Sequence, residues 1–184
     1  MYALGNAYVK AGNTDEAMQI YDRLNSEYKR SVFVPKALLR QGLVHYNASE
    51  NERAITKFKR VAGDFPGTPE ANQAVATARL IYIDLGRVNE YATWVKTLDY
   101  VEVTDADLDN ATYEAAEKKY LDNNTDEAIR QFNGYLNEFP KGLNALQSHF
   151  YIAQLYFKKD LKDNAAPHFE YVTEASQSEF TEEA

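Results

Sequence analysis

One spacing governs this sequence: the same small and apolar residues return every 37 positions. Ala17, Ala54, Tyr91, Ala128 and Ala165 form one column. Tyr21, Phe58, Val95, Phe132 and Phe169 form a second, and Leu24, Val61, Leu98, Tyr135 and Val172 a third. Five such units would occupy 185 residues against the 184 of the chain, so the repeat is expected to account for all of it and to leave no room for a separate catalytic domain. A unit this short cannot bury an apolar face alone and must stack on its neighbours. The expected fold class is therefore all-α, a right-handed α-solenoid of five helical hairpins with about ten antiparallel helices.

Within each unit two helical patterns flank a short polar break. The unit boundaries fall near 1–30, 31–67, 68–104, 105–141 and 142–175, with 176–184 as an acidic tail or the start of a further repeat. Hydrophobic periodicity places helices at 1–11, 14–28, 34–48, 51–64, 70–85, 88–100, 107–122, 125–138, 143–159 and 162–175, alternating between a first (A) and a second (B) helix. In the second unit Ile55, Phe58, Val61, Ala62 and Phe65 make one apolar stripe at spacings of three and four. Ser49 with Glu52, Asn13 with Glu16 and Asn124 with Glu127 have the spacing of a capping box and are expected to start the B helices. Phe65-Pro66-Gly67 and Phe139-Pro140-Lys141-Gly142 end them, with a proline that cannot continue a helix and a glycine able to take positive φ. Gly5, Gly42, Ala116 and Ala153 recur on the A helices and are expected to face the small column of the B helices, because glycine inside a helix costs about 0.5–1 kcal/mol and implies a neighbour that needs the room.

Composition excludes several kinds of function. The net charge of −8, with cations scattered among acids, repels phosphate backbones and anionic lipid, so no nucleic-acid partner is expected. Without cysteine there is no disulfide, thiolate nucleophile or cysteine-ligated zinc. No apolar run approaches the roughly 18 residues of a membrane span, so direct membrane insertion is not expected.

The residues resemble the tetratricopeptide repeat. Its pattern is visible as Leu4-Gly5, Tyr8, Ala17 and Tyr21, then Gly42, Ala54, Phe58 and Pro66, then Ala116, Ala128, Phe132 and Pro140, with units three residues longer than the family's usual 34. The resemblance implies a scaffold that binds proteins. The Phe-Pro-x-Gly linkers and many tyrosines are further similar to tandem repeats of bacterial envelope proteins associated with outer-membrane assembly and the Tol-Pal system, which would imply the periplasm or the outer membrane. The third unit departs from the pattern, with Arg79 and Tyr91 at the small positions and Val103 in the proline column. Ala78 and Ala92 stand one residue away, so a local irregularity is expected there, with the superhelix bent or loosened around 99–105.

Motifs for catalysis are missing from the sequence. Asp105-x-Asp107-x-Asp109-Asn110 resembles the opening of an EF-hand loop, but the positions needing glycine and a bidentate Glu hold Asn110 and Ala116, so the acids read as a helix N-terminus. His45, His149 and His168 are isolated in sequence and assigned to different helices, where packing or exposure is expected rather than metal ligation. Neither a cofactor nor a metal is expected, and no enzyme activity.

A partner is expected on the concave side lined by the A helices. The repeat register assigns to it Tyr2, Asn6 and Lys10; Lys36, Arg40, Leu43, Tyr46 and Asn47; Thr77, Leu80 and Asp84; Tyr113, Glu114, Glu117 and Tyr120; and Phe150, Tyr151, Gln154 and Phe157. Tyr and Phe supply large contact areas for a peptide or an inserted helix, although adjacent A helices also use such residues to pack on one another. Asn6, Lys36 and Arg40 are a partial version of the basic and amide-bearing set with which some members of the family clamp a C-terminal carboxylate. Two readings stand: a non-catalytic scaffold binding a peptide or partner subunit on the A-helix face, or a structural spacer that self-associates. Met1 aligns with Leu38 and Phe180 with Leu143, and no polar capping helix follows Val172, so an excerpt of a longer array, or ends that pair with another copy, is expected.

Overall fold

The structure is a computed structural model that describes residues 1–175. The segment 176–184, with Phe180, lies outside the described residues. Ten helices follow one another with no strand among the described residues: α1 Tyr2–Lys10, α2 Thr14–Glu27, α3 Val34–Asn47, α4 Asn51–Asp64, α5 Pro69–Asp84, α6 Val88–Val95, α7 Asp105–Leu121, α8 Thr125–Glu138, α9 Ala145–Lys158 and α10 Lys162–Glu174. The chain divides into two compact units. The first comprises Met1–Ile81 with Thr93–Glu102, and the second Tyr82–Ala92 with Val103 onward.

The turn inside each hairpin is the same backbone device five times over. Gly12, Ser49, Gly86, Asn123 and Asp160 stand 37 residues apart, and all five have positive φ, between 57 and 79°. In each turn the amide of the following residue reaches back five positions: Asn13 to Tyr8, Glu50 to His45, Arg87 to Tyr82, Asn124 to Lys119 and Leu161 to Tyr156, at 2.8–3.0 Å. This 6→1 bond with a left-handed residue before it satisfies the carbonyls left over at the end of the A helix. The column escaped an apolar-pattern reading because Gly, Ser, Asn and Asp share a tolerance for one backbone angle rather than a side chain.

The same turn explains why the expected capping boxes do not form. A capping box needs the N-cap amide to receive the carboxylate of the third helical residue. At Asn13, Glu50 and Asn124 that amide is already donated to the preceding helix, and none of the three side chains makes a cap bond. Ser49 is the left-handed residue itself, not the cap, and Glu127 turns instead to Arg130 and Gln131. One capping box does exist, at an unforeseen place. Thr104 follows an extended linker, its amide has no such prior duty, and it exchanges bonds with Asp107 at 2.8 and 3.1 Å to start α7.

In the first unit α1 packs on α2, α2 on α3 and α3 on α4. The missing side chains of Gly5 and Gly42 make room for rings: a Cβ at Gly5 would lie 2.4 Å from Cε1 of Tyr21, and one at Gly42 would lie 2.4 Å from Cε1 of Phe58. The nearest occupant is thus the bulky residue four positions beyond the small column rather than the alanine itself. Ala17, Tyr21, Ala54, Phe58, Val61 and Ala62 are all fully buried. Gln41, also fully buried, joins the first two hairpins: its amide donates to Asp22 at 2.7 Å, and its oxygen accepts from Asn25 and Lys57, each at 3.1 Å.

In the second unit α7 packs on α8, α8 on α9 and α9 on α10. Ala116, Ala128, Phe132, Tyr135 and Ile152 form its core. Tyr135 donates to Asp109 at 2.5 Å and accepts from the Asn144 amide at 3.0 Å, while Asp109 also takes the Leu143 amide at 2.8 Å. Asp107 and Asp109 of the EF-hand-like run therefore serve separate structural partners. Gly142 does not take positive φ, in contrast to Gly67. It is glycine for proximity, since a Cβ there would meet the Tyr135 hydroxyl at 2.3 Å.

The third repeat is irregular. Its B helix, α6, has 8 residues where α2, α4 and α8 have 14, and it stops at Val95 rather than at the expected 100. Past Val95 the amides of Thr97 and Leu98 turn to carbonyls three residues back, and the Thr97 hydroxyl binds the Trp94 carbonyl at 2.6 Å, so the helical ladder is not continued. Tyr100 anchors the released segment to the first unit through the Ala62 carbonyl at 2.9 Å. Ala78 and Ala92 are both buried, as is Tyr91.

Candidate functional site

In the first unit, A helices α1, α3 and α5 contribute Tyr2, Lys36, Leu39, Arg40, Leu43, Pro69, Glu70 and Gln73 to a cleft of about 290 Å³. Lys36 and Arg40 thus meet there, with Glu70 beside them and the Lys36 ammonium 5.7 Å from the Phe33 ring. Asn6 does not join them as a ligand-clamping amide, because its side-chain oxygen accepts the Tyr21 hydroxyl at 2.6 Å. Tyr46 is half-buried and Asn47 exposed, and neither lines this cleft.

In the second unit the residues assigned by register divide between the core and a cleft. Tyr113 is buried core rather than a binding residue: its ring sits 6.0 Å from Phe132 and 5.9 Å from Tyr135, and its hydroxyl donates to Glu117 at 2.8 Å. Burial, then the Glu117 carboxylate, pushes the Tyr113 phenol well above the ordinary tyrosine range. Glu117 is occupied by that bond, and Phe150 is likewise buried. Tyr151 is half-buried, stacked on Tyr120 with centroids 4.4 Å apart and planes 17° from parallel, and 5.5 Å from Phe132. Tyr120, Gln154 and Phe157, by contrast, line a cleft of about 710 Å³ together with Lys158, Lys162, Ala165, Ala166 and Phe169. Tyr120 makes a long contact to the Gln154 oxygen at 3.5 Å, and burial raises its phenol above the usual range. Phe157 is 58% exposed.

The register explains why α10 was missed as part of this cleft. Phe169 belongs to the core column whose earlier members Tyr21, Phe58, Val95 and Phe132 are wholly buried, yet here it is only half-buried. The floor is apolar, and the rim carries the exposed ammonium groups of Lys158 and Lys162, the latter 3.5 Å from the Asp160 carboxylate.

Two histidines assigned to separate helices come together. His149 of α9 and His168 of α10 place their Nδ1 atoms 2.8 Å apart, so one imidazole donates to the other, and Tyr171 stacks on His149 at 3.9 Å. Burial and the neighbouring His168 lower His149 to about 4, and burial lowers His168 also. Among the described residues no group of three or more His, Cys, Asp or Glu is placed to hold a metal ion, and no helix is long and apolar enough to cross a membrane.

The profile of the tetratricopeptide repeat family matches residues 2–72, the stretch that carries α1 to α4 and the start of α5. No curated protein matches the sequence. Among solved structures the chain is similar to MamA from Desulfovibrio magneticus RS-1 (residues 41 to the end), with 19% identity and a TM-score of 0.46 over 94% of this chain and 90% of that one. It is also similar to a tetratricopeptide repeat protein from Parabacteroides merdae ATCC 43184, with 20% identity and a TM-score of 0.43 over 96% of this chain and 64% of that one.

Proposed function

We propose that the whole chain is a tetratricopeptide-type scaffold without catalytic activity, and that it captures a protein segment in the cleft of its second unit. The observation that carries this reading is the meeting of Tyr120, Gln154 and Phe157, three of the residues the repeat register assigned to the A-helix face, around one apolar floor with Phe169 and two lysines. An amphipathic helix or extended segment with an apolar anchor next to an acid matches that floor and rim. Support for extending the family beyond 2–72 comes from the hairpin turn, which repeats its left-handed residue and 6→1 bond up to Asp160.

The test is capture of a partner by wild type and by Phe157→Ala and Gln154→Ala, both on the cleft wall, with far-UV circular dichroism recorded in parallel. The proposal expects capture to be lost with helicity unchanged. Undiminished capture by both variants would defeat it. Lys36→Ala and Arg40→Ala in the first-unit cleft serve as the comparison: loss there alone would move the site to the first unit.

A further inference from the structure

The two histidines of α9 and α10 stand where the repeat needs none. In the repeat register the column of His149 holds Leu38, Val75 and Thr112, and that of His168 holds Lys57, Trp94 and Gln131. Leu38 and Val75 serve there by burial, and Thr112, Lys57 and Gln131 by hydrogen bonds to Leu108, Gln41 and Glu127, so neither column calls for an imidazole. At α9 and α10 the two columns set a pair of metal-ligating side chains opposite each other. The pair is separate from the cleft described above, since neither ring lines it. Its columns are turned instead to the preceding hairpin, as Lys57 shows by reaching toward Asp22 of α2.

The two rings already stand at the separation of a chelate. Their Nδ1 atoms are 2.8 Å apart, one donating to the other, and the nitrogen edges face each other with centroids 4.9 Å apart and planes at 43°. Metal–imidazole bonds of about 2.0–2.1 Å place neighbouring donors roughly 2.8–3.4 Å apart, from square-planar to tetrahedral angles. An ion can therefore replace the shared proton if the nitrogens part by about 0.6 Å at most. The displaced proton moves to Nε2 of the same ring, so both histidines ligate as neutral Nε2–H tautomers and the charge of the protein is unchanged. Packing of α9 on α10 fixes both backbones, and Tyr171, stacked on His149 at 3.9 Å with planes 17° apart, holds that ring, so the adjustment falls on His168. Both rings are half-buried, which leaves one side open to water. Imidazole donors suit Zn²⁺ and its neighbours in the transition series, whereas Mg²⁺ and Ca²⁺ take oxygen ligands.

We infer that His149 and His168 together bind one divalent transition-metal ion of the Zn²⁺ type through their Nδ1 atoms, with water completing its coordination. The ion ties α9 to α10 across the hairpin. Among the described residues no third His, Cys, Asp or Glu joins the pair, so the site is weaker than a closed structural zinc site and fills and empties with the concentration of the ion. A net charge of −8 favours the approach of a cation. The site is independent of the protein-binding role proposed for the cleft.

Zn²⁺ titrated into the metal-free chain tests this, with binding followed by calorimetry and the imidazole nitrogens by long-range proton–nitrogen NMR. Wild type is expected to take up one ion per chain in a saturable event, with the Nδ1 shifts of His149 and His168 moving together and both rings settling as the Nε2–H tautomer. His149→Phe and His168→Phe keep a ring without a ligand. Each is expected to weaken binding by about tenfold or more, since loss of even a supporting partner of a metal ligand costs that much. His45, bonded to Glu50 at 2.5 Å, supplies the comparison: His45→Gln is expected to leave the affinity unchanged. Zn²⁺ should also raise the Tm of wild type and of His45→Gln but not of the two phenylalanine variants. The inference is overturned by the absence of saturable binding up to millimolar Zn²⁺, by shifts confined to His45 or to one ring of the pair, or by an affinity unchanged in either phenylalanine variant. The NMR readout is made on wild type, so it decides the question even where a variant fails to keep its helicity.

Discussion

Replacing glycine by alanine should have opposite effects at two helical positions of the same unit. At Gly42 of α3 the added methyl lies 2.4 Å from Cε1, 2.7 Å from Cδ1 and 3.1 Å from Cζ of Phe58, a side chain with no exposed surface and so no room to withdraw. Overpacking of this kind costs about 1–3 kcal/mol, and the better helix propensity of alanine returns roughly 0.5–1. The net is a loss of about 0.5–2 kcal/mol, or roughly 1–8 °C in Tm for a chain of this length. At Gly63 of α4 a Cβ meets nothing within 4 Å, so only the propensity gain of up to about 1 kcal/mol remains. Trp94, the chain's one tryptophan, lies in the segment that belongs to the first unit, so its fluorescence during urea unfolding reports on the unit that contains both glycines. Gly42→Ala should lower the urea midpoint and Gly63→Ala should raise it. Phe58→Leu, which shortens the ring's reach, should cost less in the Gly42→Ala background than in wild type, since neighbours in contact are not additive. Refutation would be a Gly42→Ala protein that moves with Gly63→Ala, or a Phe58→Leu cost identical in the two backgrounds.

Four further substitutions probe the turns, the caps and the histidine pair. Ser49→Gly should stabilise by up to about 1 kcal/mol, because the left-handed φ of 60° is strained for serine and not for glycine; thermal melts measure it. Thr104→Ala should cost about 1 kcal/mol through the lost capping box, whereas Asn13→Ala, whose side chain makes no cap bond, should stay within a few tenths. His149 is lowered in the folded state to about 4, so below pH about 6.5 the unfolded chain binds the extra proton first. Its contribution to stability is therefore present above pH about 6.5 and lost as pH falls toward 4. Melts across that range should show a smaller decline for His149→Phe than for wild type, and equal declines would refute the assignment.

The apolar columns and the helix count were legible in the sequence because both rest on side-chain size at fixed spacing, which is what stacking hairpins select. Backbone conformation was not legible in the same way. The left-handed column uses four residue types, and its amide bond to the preceding helix pre-empts the capping boxes that Asn13, Ser49 and Asn124 advertise. The early stop of α6 depends on Thr97 and Tyr100 finding the Trp94 and Ala62 carbonyls, contacts without a periodic signature. Tyr120, Gln154 and Phe157, which the register grouped on the A-helix face, line one cleft. Tyr113 in the same register proved to be core, because Glu117 four residues on satisfies its hydroxyl and lets the ring be buried. The register placed His149 and His168 on different helices but did not show that α9 and α10 turn them toward each other.

The most direct test of the repeating hairpin is backbone NMR of the chain, with Cα and Cβ shifts and three-bond HN–Hα couplings converted to φ along the sequence. The account predicts helical shifts over the ten segments and positive φ at residues 12, 49, 86, 123 and 160, the irregular third repeat included. Helix breaks that fail to recur at that spacing, or negative φ at Ser49, Asn123 and Asp160, would contradict it.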